Sequence, residues 1–253
     1  NAAMGFAPSA DEVLRFARVA EELGFHSILV ADHVLIPGTL DASAYPAGTF
    51  EVRTRWYDPL VLLAAIAGVT KTIRLGTGIM VVAYRPPAQQ AQAVATLDFI
   101  SGGRFFYGAG IGWMRDEFEA LGIPFSERGA RADEYIEFMK LLWSGSGEAF
   151  CGKFVEFAGG LINPPPVQRP HPPIVVTAVA PYSQGVAEAA ARGWDPISAN
   201  FLLPQWVKTH WLKYVEGCER VGRQPLATDW RVAKTICVAE DDATAKAYAM
   251  GTD

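Results

Sequence analysis

The sequence predicts a parallel α/β barrel, and three observations predict it. Strand-like and helix-like stretches alternate along the 253 residues, which implies parallel strands joined by crossover helices. Six such strands are legible, and no dinucleotide fingerprint follows the first of them, which favours a closed (β/α)8, or TIM, barrel over an open doubly wound sheet. Glycines also gather at two neighbouring strand ends, Gly76 and Gly78, then Gly108, Gly110 and Gly112. Glycine weakens a strand, so such clusters mark a bulge or a backbone that something approaches closely.

Each element follows from local pattern. Asp11 to Leu23 carries Val13, Leu14, Phe16, Ala17 and Ala20 at helical spacing, with Ser9 as N-cap and Gly24 as stop. A buried strand is expected over Ser27 to Ala31, a helix over Asp58 to Val69, and a strand over Ile73 to Val82. Pro86 or Pro87 opens a helix to Ile100, and Arg104 to Tyr107 reads as the next strand. Helix Glu127 to Trp143, strands Ile174 to Ala178 and Asp195 to Ala199, helix Pro204 to Val221, strand Arg231 to Ala239 and a last helical stretch complete the series. A closed barrel of this kind has eight strands, while this pattern begins and ends on a helix. The first and last strands are therefore expected to be missing from the chain, which reads as a single barrel domain over residues 1–253.

Three segments interrupt the repeat. Val34 to Tyr57 is a long loop, Ala149 to Phe157 reads as a hairpin turning at Gly152-Lys153, and Asn163 to Pro173 is rich in proline. Loops beyond about 12 to 15 residues usually serve as lids or binding elements. Segments that follow strands lie on the catalytic face of such a barrel, which places the first insertion over its mouth.

Bulk composition narrows the partners. Half the residues are hydrophobic, 19% are charged and the formal net charge is −5. A large core is affordable, and without a basic cluster no nucleic-acid partner is expected. Cys151, Cys218 and Cys237 show neither disulfide nor zinc spacing. No apolar run reaches the roughly 18 to 20 residues that span a bilayer. A cytoplasmic protein acting on a small molecule, away from membranes, is the expectation.

Candidate site residues come from the strand ends and mouth loops. His33 ends the first visible strand beside Asp32; an imidazole there can exchange a proton near neutral pH, and a carboxylate would hold its tautomer. Thr77, Gly78 and Ile79, with Gly108 and Gly110, form the expected floor under a ligand. Gly108 to Trp113 is not a nucleotide fingerprint, since the third glycine would fall on Trp113. Ser183, Gln184 and Gly185 precede the helix Val186 to Arg192, a ready phosphate site, with Thr177 just upstream. Trp56, Tyr57 and Tyr84 suit an apolar substrate wall, and Trp113 either closes over the ligand or fills a loop. Asn200 follows a strand, and Trp206 and His210 share one side of a helix at i and i+4. Neither His26 nor His171 pairs credibly with His33, so no metal site is expected, and no Gly-x-Ser-x-Gly elbow supports hydrolysis.

Together, several stretches resemble the bacterial luciferase-like oxidoreductases. They are Phe16 to Phe25, Ala31-Asp32-His33, Arg74 to Ile79, Asp98 to Arg104, Gly108 to Trp113, Asp116 to Gly122 and Arg128-Gly129. The resemblance implies a (β/α)8 barrel that binds reduced FMN, or in a sister branch coenzyme F420, at the C-terminal strand ends. It implies a non-proline cis peptide at the strand-three bulge and a flavin phosphate near Ser183. The FMN branch oxygenates an organic substrate with O2; the F420 branch moves a hydride. Where the luciferases carry a reactive cysteine and then an arginine, this chain has Gly110 and Ile111, which argues against light emission.

The expected function is a flavin-dependent monooxygenase, with a separate reductase supplying reduced FMN and the chain acting as a homodimer. The alternatives are an F420-dependent oxidoreductase and a non-catalytic flavin-binding protein. A barrel aldolase is disfavoured because Lys234, its only strand lysine, lies mid-strand.

Overall fold

The structure, a computed structural model, describes residues 9–37, 55–234 and 236–250. The chain divides into two compact units, residues 1–175 and 176–253.

In the first unit, Ser9 caps α1 (Ala10–Glu22) by accepting the Glu12 N–H, and Asp11 and Glu12 favour its first turn. Strand β1 (Ser27–Val30) follows. Asp58 then accepts from the Leu60 and Val61 N–H groups to start α2 (Pro59–Val69). Strand β2 (Arg74–Thr77) pairs parallel to β1, with Ser27 beside Arg74 and Val30 beside Thr77. The single strand expected over Ile73 to Val82 is broken: the Gly78–Ile79 peptide is cis, and β3 (Met80–Val81) resumes on the far side. A tight turn over Val82–Tyr84 leads to α3 (Pro87–Ser101), which ends at left-handed Gly102.

Strand β4 (Phe105–Gly110) pairs parallel with β2 through Leu75 and Phe105, and with β3 through Met80 and Ala109. Arg104, just before it, donates to Ser101 O, Ile73 O, Ala67 O and to both Thr70 oxygens. The stretch Ser101-Gly102-Gly103-Arg104 is thus a helix stop followed by a staple across the end of α2. A short helix α4 (Arg115–Ala120), with no counterpart in the expected elements, precedes α5 (Arg128–Ser144).

Three carboxylates pin loops in this unit. Glu21 accepts the N–H groups of Lys71, Thr72 and Ile73 at 2.6 to 2.9 Å. Glu134 accepts those of Lys153, Phe154 and Val155 at 2.7 to 2.8 Å. That contact fixes the expected hairpin, β5 (Phe150–Cys151) against β6 (Glu156–Phe157), antiparallel. Buried Asp98 holds Gln168 of the proline-rich segment through both its backbone and side-chain N–H groups.

The division between units falls inside β7 (Ile174–Ala178). The second unit continues with α6 (Gln184–Ala191), β8 (Asp195–Ser198), α7 (Pro204–Glu219), β9 (Arg231–Val232) and α8 (Asp242–Met250). Strand β9 runs parallel to β8, with Ile197 beside Arg231. Ala178, Val186, Ala190, Tyr214 and Cys218 form one buried cluster of this unit, and Ala199, Leu202 and Val207 another. The strand expected to Ala239 stops at Val232; beyond it Ile236 and Val238 are exposed, so no burial rewards extension. Among the described residues no helix is long and apolar enough to cross a membrane.

Candidate active site

His33 and Asp32 lie just beyond β1, and their side chains enter different networks, as neighbours on extended chain do. Asp32 is buried and takes a bidentate ion pair from Arg85 at 2.7 and 2.9 Å, plus the Val81 N–H at 3.0 Å. Arg85 also reaches Asp58, the cap of α2. Burial pushes the Asp32 carboxyl upward and Arg85 pulls it back, leaving it raised, while the two carboxylates hold Arg85 more firmly charged. Asp32 is therefore not the carboxylate that orients His33. It ties the end of β1 to the start of α2 and to the turn before α3.

The carboxylate at His33 is Glu117 of α4. Its Oε2 lies 2.7 Å from His33 Nδ1 and accepts the Tyr84 hydroxyl at 2.9 Å. Its Oε1 accepts the N–H groups of Val34 at 2.8 Å and Leu35 at 3.3 Å. Burial alone would raise this carboxyl, but His33, the Val34 N–H and Tyr84 outweigh it and hold it below the usual carboxylate range. The Glu117 side chain is fully buried, and that of His33 is 8% exposed.

Sequence reasoning passed over Glu117, yet a signal existed. Met114, Phe118 and Leu121 stand at i, i+4 and i+7, and Glu117 at i+3 falls on that same inward face.

Two indole rings meet the imidazole edgewise, Trp56 at 4.5 Å between centroids and Trp113 at 6.2 Å. Trp113 and Val34, the residue after His33, are exposed apolar side chains, as is Ile111 two residues before Trp113. Tyr84, expected on an open substrate wall, is instead buried with its hydroxyl on Glu117. Tyr84 is also among the residues lining a groove of about 540 Å³ with Leu121, Ile123, Phe138 and Phe154, and His33 is not among them. Tyr57 is half-buried. Most of the long insertion expected over the mouth, residues 38–54, lies outside the described residues.

The glycine-rich strand ends are less open than the missing side chains suggest. A Cβ on Gly76 would strike the Phe106 ring, one on Gly108 would lie 1.9 Å from Thr77 O, and one on Gly110 would meet Ile79 Cδ1 at 2.2 Å. Thr77 locks this contact: its Oγ1 donates to Gly108 O at 2.8 Å and accepts the Gly108 N–H at 2.9 Å. These glycines let strands and side chains close on one another. What remains accessible is the rim, where Gly78, Ile79, Gly110 and Ile111 are all partly or fully exposed and uncharged.

In the second unit, α6 begins with Ser183 making no side-chain cap bond, so its hydroxyl and the first-turn N–H groups offer anion-binding chemistry. The Gln184 side chain is engaged by Glu188 and Lys213, and Gly185 is exposed. Tyr182, just upstream, has φ +51° and its N–H is held by Thr209. Thr177 is half-buried on β7, and Asn200 and Trp206 are exposed. His210 departs from expectation. It is fully buried, with Nε2 2.8 Å from Ala180 O and Nδ1 2.8 Å from Ser198 Oγ. A carbonyl only accepts, so Nε2 carries the proton and Nδ1 accepts from Ser198. Both nitrogens are spent inside the unit, and His210 is not a substrate ligand.

A model of the luciferase-like monooxygenase family matches residues 1–252. The chain belongs to that family. An uncharacterised protein of Mycobacterium tuberculosis is 37% identical over 166 residues, 64% of this chain and 58% of that one. The oxygenase component of the flavin-dependent trigonelline monooxygenase of Acinetobacter baylyi is 31% identical over 179 residues, 70% of this chain and 45% of its own. An F420-dependent hydroxymycolic acid dehydrogenase of Mycobacterium tuberculosis is 28% identical over 240 residues, 94% of this chain and 62% of its own. The crystal structure of the monooxygenase RslO1 from Streptomyces bottropensis superposes with a TM-score of 0.81 at 29% identity, over 96% of this chain and 69% of that one. The fold is thus the luciferase-like α/β barrel, and the chain spans less than two thirds of the length of these curated relatives.

Proposed function

We propose that this chain is the oxygenase of a flavin-dependent monooxygenase that uses reduced FMN and O2 on a small apolar substrate. The observation that carries the reading is His33, an acid–base residue edged by Trp56 and Trp113 and followed by exposed Val34, together with a partly exposed, uncharged rim at Gly78–Ile79 and Gly110. That rim fits the face of a flat, uncharged ring. A phosphate fits the hydroxyl of Ser183 and the N–H groups of Gln184 and Gly185, with Thr177 nearby. Thr77 and Gly108 would act from behind the rim, by keeping the two strand ends together.

Bound reduced flavin would supply the electrons that activate O2. The chain's own part is to seat it, to keep charge away from it with apolar side chains, and to move a proton at His33. Asn200 and Trp206 are proposed substrate contacts. Both units are taken as one barrel domain, in line with the superposition on RslO1. Because a relative is by name an oxygenase component, a separate reductase is the proposed source of reduced flavin, with both acting in the cytoplasm.

A homodimer is proposed through α2 and α3. Helix α2 has no charged residue and exposes Val61, while α3 exposes Phe99 and Ile100 and keeps its one charged residue, Asp98, buried. Sedimentation of the wild type and of Val61→Glu tests it: a dimer that dissociates supports the reading, and a wild-type monomer ends it.

An F420-dependent reading keeps a place because of the dehydrogenase relative. Anaerobic titration with reduced FMN and with reduced F420 separates the two. Binding of reduced FMN followed by substrate-dependent O2 uptake supports the monooxygenase; F420 binding alone overturns it, and tight flavin binding without O2 uptake favours a non-catalytic flavoprotein. His33→Ala should bind the cofactor nearly as well and turn over about 10² to 10⁴ times more slowly.

A further inference from the structure

The proposed acid–base role of His33 leaves open which ring nitrogen exchanges the proton. Free histidine side chains have two neutral tautomers, and the hydrogen bond made by one nitrogen decides which is present. Among the described residues, four groups converge on the Glu117 carboxylate. Two are backbone N–H groups, of Val34 and Leu35, that can only donate. The third is the Tyr84 hydroxyl, whose contact at 2.9 Å falls on the same oxygen as the imidazole. The fourth is His33 Nδ1.

We propose that Glu117, steadied by Tyr84, is a positioning residue that locks His33 in the Nδ1–H tautomer and makes Nε2 the nitrogen that takes up and releases the proton. The carboxylate is ionised, so it has no hydrogen to give and the imidazole must donate to it in both the neutral and the charged ring. Its depressed titration, to which His33 and Tyr84 both contribute, agrees with this. The Val34 and Leu35 N–H groups engage the other oxygen, so the carboxyl plane cannot turn without losing them. Tyr84 restricts Oε2 from its other side and, as part of the groove wall, connects that groove to the imidazole.

The arrangement has a chemical consequence. A ring fixed as Nδ1–H presents Nε2 as a base without first exchanging tautomers, and the adjacent negative charge stabilises the imidazolium formed when it accepts a proton. The carboxylate itself takes no proton in the step, and Glu117 acts through His33.

The inference rests on the proposed use of His33, but its test reads the ring directly and needs neither cofactor nor substrate. The chain contains four histidines, so long-range ¹H–¹⁵N spectra of the uniformly labelled protein can resolve each, with His33→Gln giving the assignment. At a pH where the ring is neutral, the wild type should show a protonated Nδ1 and an unprotonated Nε2 for His33. Glu117→Gln should shift His33 toward the Nε2–H form, and Tyr84→Phe, which keeps the ring and the fold, should broaden or mix the two. An Nε2–H wild type overturns the proposal, as does a Tyr84→Phe spectrum identical to wild type for the part given to Tyr84. A correct tautomer in a protein that shows no O2 uptake would overturn the monooxygenase reading alone.

Discussion

Glu117 and His33 stand 84 positions apart in sequence and 2.7 Å apart in space. The contact joins the end of β1 to a six-residue helix whose other buried side chain, Phe118, packs with Val81, Ala83 and Tyr84. Replacing Glu117 with Ala removes the shared acceptor of the Val34 and Leu35 N–H groups and of the Tyr84 hydroxyl. A loss of about 2 to 4 kcal/mol is expected, to be read as a lower urea midpoint with an unchanged slope.

The Asp32–Arg85 pair should behave differently from an exposed one. Arg85→Met leaves a buried carboxylate with no counter-charge, and about 3 to 5 kcal/mol should be lost near neutral pH. Burial already raises the Asp32 carboxyl. Without Arg85 it rises further, so the variant should recover part of its deficit as the pH falls and Asp32 takes up a proton. The double variant Asp32→Asn, Arg85→Met should lose less than Arg85→Met alone. Denaturant titrations at several pH values check both statements, and a pH-independent deficit would contradict the first.

Two glycines make opposite predictions. Gly108→Ala places a methyl group 1.9 Å from the Thr77 carbonyl oxygen, where only movement of backbone can relieve it. The variant should be strongly destabilised or insoluble. Gly129, in the first turn of α5, has nothing within 4 Å of the same added carbon. Gly129→Ala should be neutral or stabilising by up to about 1 kcal/mol, which a thermal melt resolves.

Acid stability should depend on Glu21. Its carboxylate accepts three consecutive N–H groups, which lower it from 4.5 to about 2. A carboxyl lowered on folding adds stability above its unfolded value and loses it as the pH falls through the folded one. The melting temperature of wild type should therefore drop between pH 4.5 and about 2 more steeply than that of Glu21→Gln. Parallel curves would remove Glu21 from the acid response.

The order of elements was legible because helix caps and apolar spacing are local signals. Ser9, Asp58 and Gly102 start or end helices as their chemistry demands. His33 was also legible, from its place after a strand. The partner of His33 was not, since adjacency in sequence favoured Asp32 whereas an extended backbone sends neighbouring side chains apart. Glu117 lay in an acidic stretch, Asp116-Glu117-Phe118-Glu119, in which only the helical face shared with Met114, Phe118 and Leu121 marks it as the carboxylate that is buried. For His210, helical spacing grouped it with Trp206, which is exposed, whereas His210 is buried and the partners that absorb both its nitrogens come from the distant Ala180 and Ser198. The strand-end glycines were legible as a cluster that permits close approach, but not the groups that approach Gly76, Gly108 and Gly110 from within the protein, which are Phe106, Thr77 and Ile79.

The divergence of Asp32 and His33 makes parity a part of the chemistry. Inserting or deleting a single residue between Val30 and Asp32 would exchange their facings, bringing a cation opposite the imidazole and setting one acid against another at Glu117. No point substitution could mend both faults at once. The stretch Ala31-Asp32-His33 is thus a place where the chain tolerates altered letters far better than an altered count.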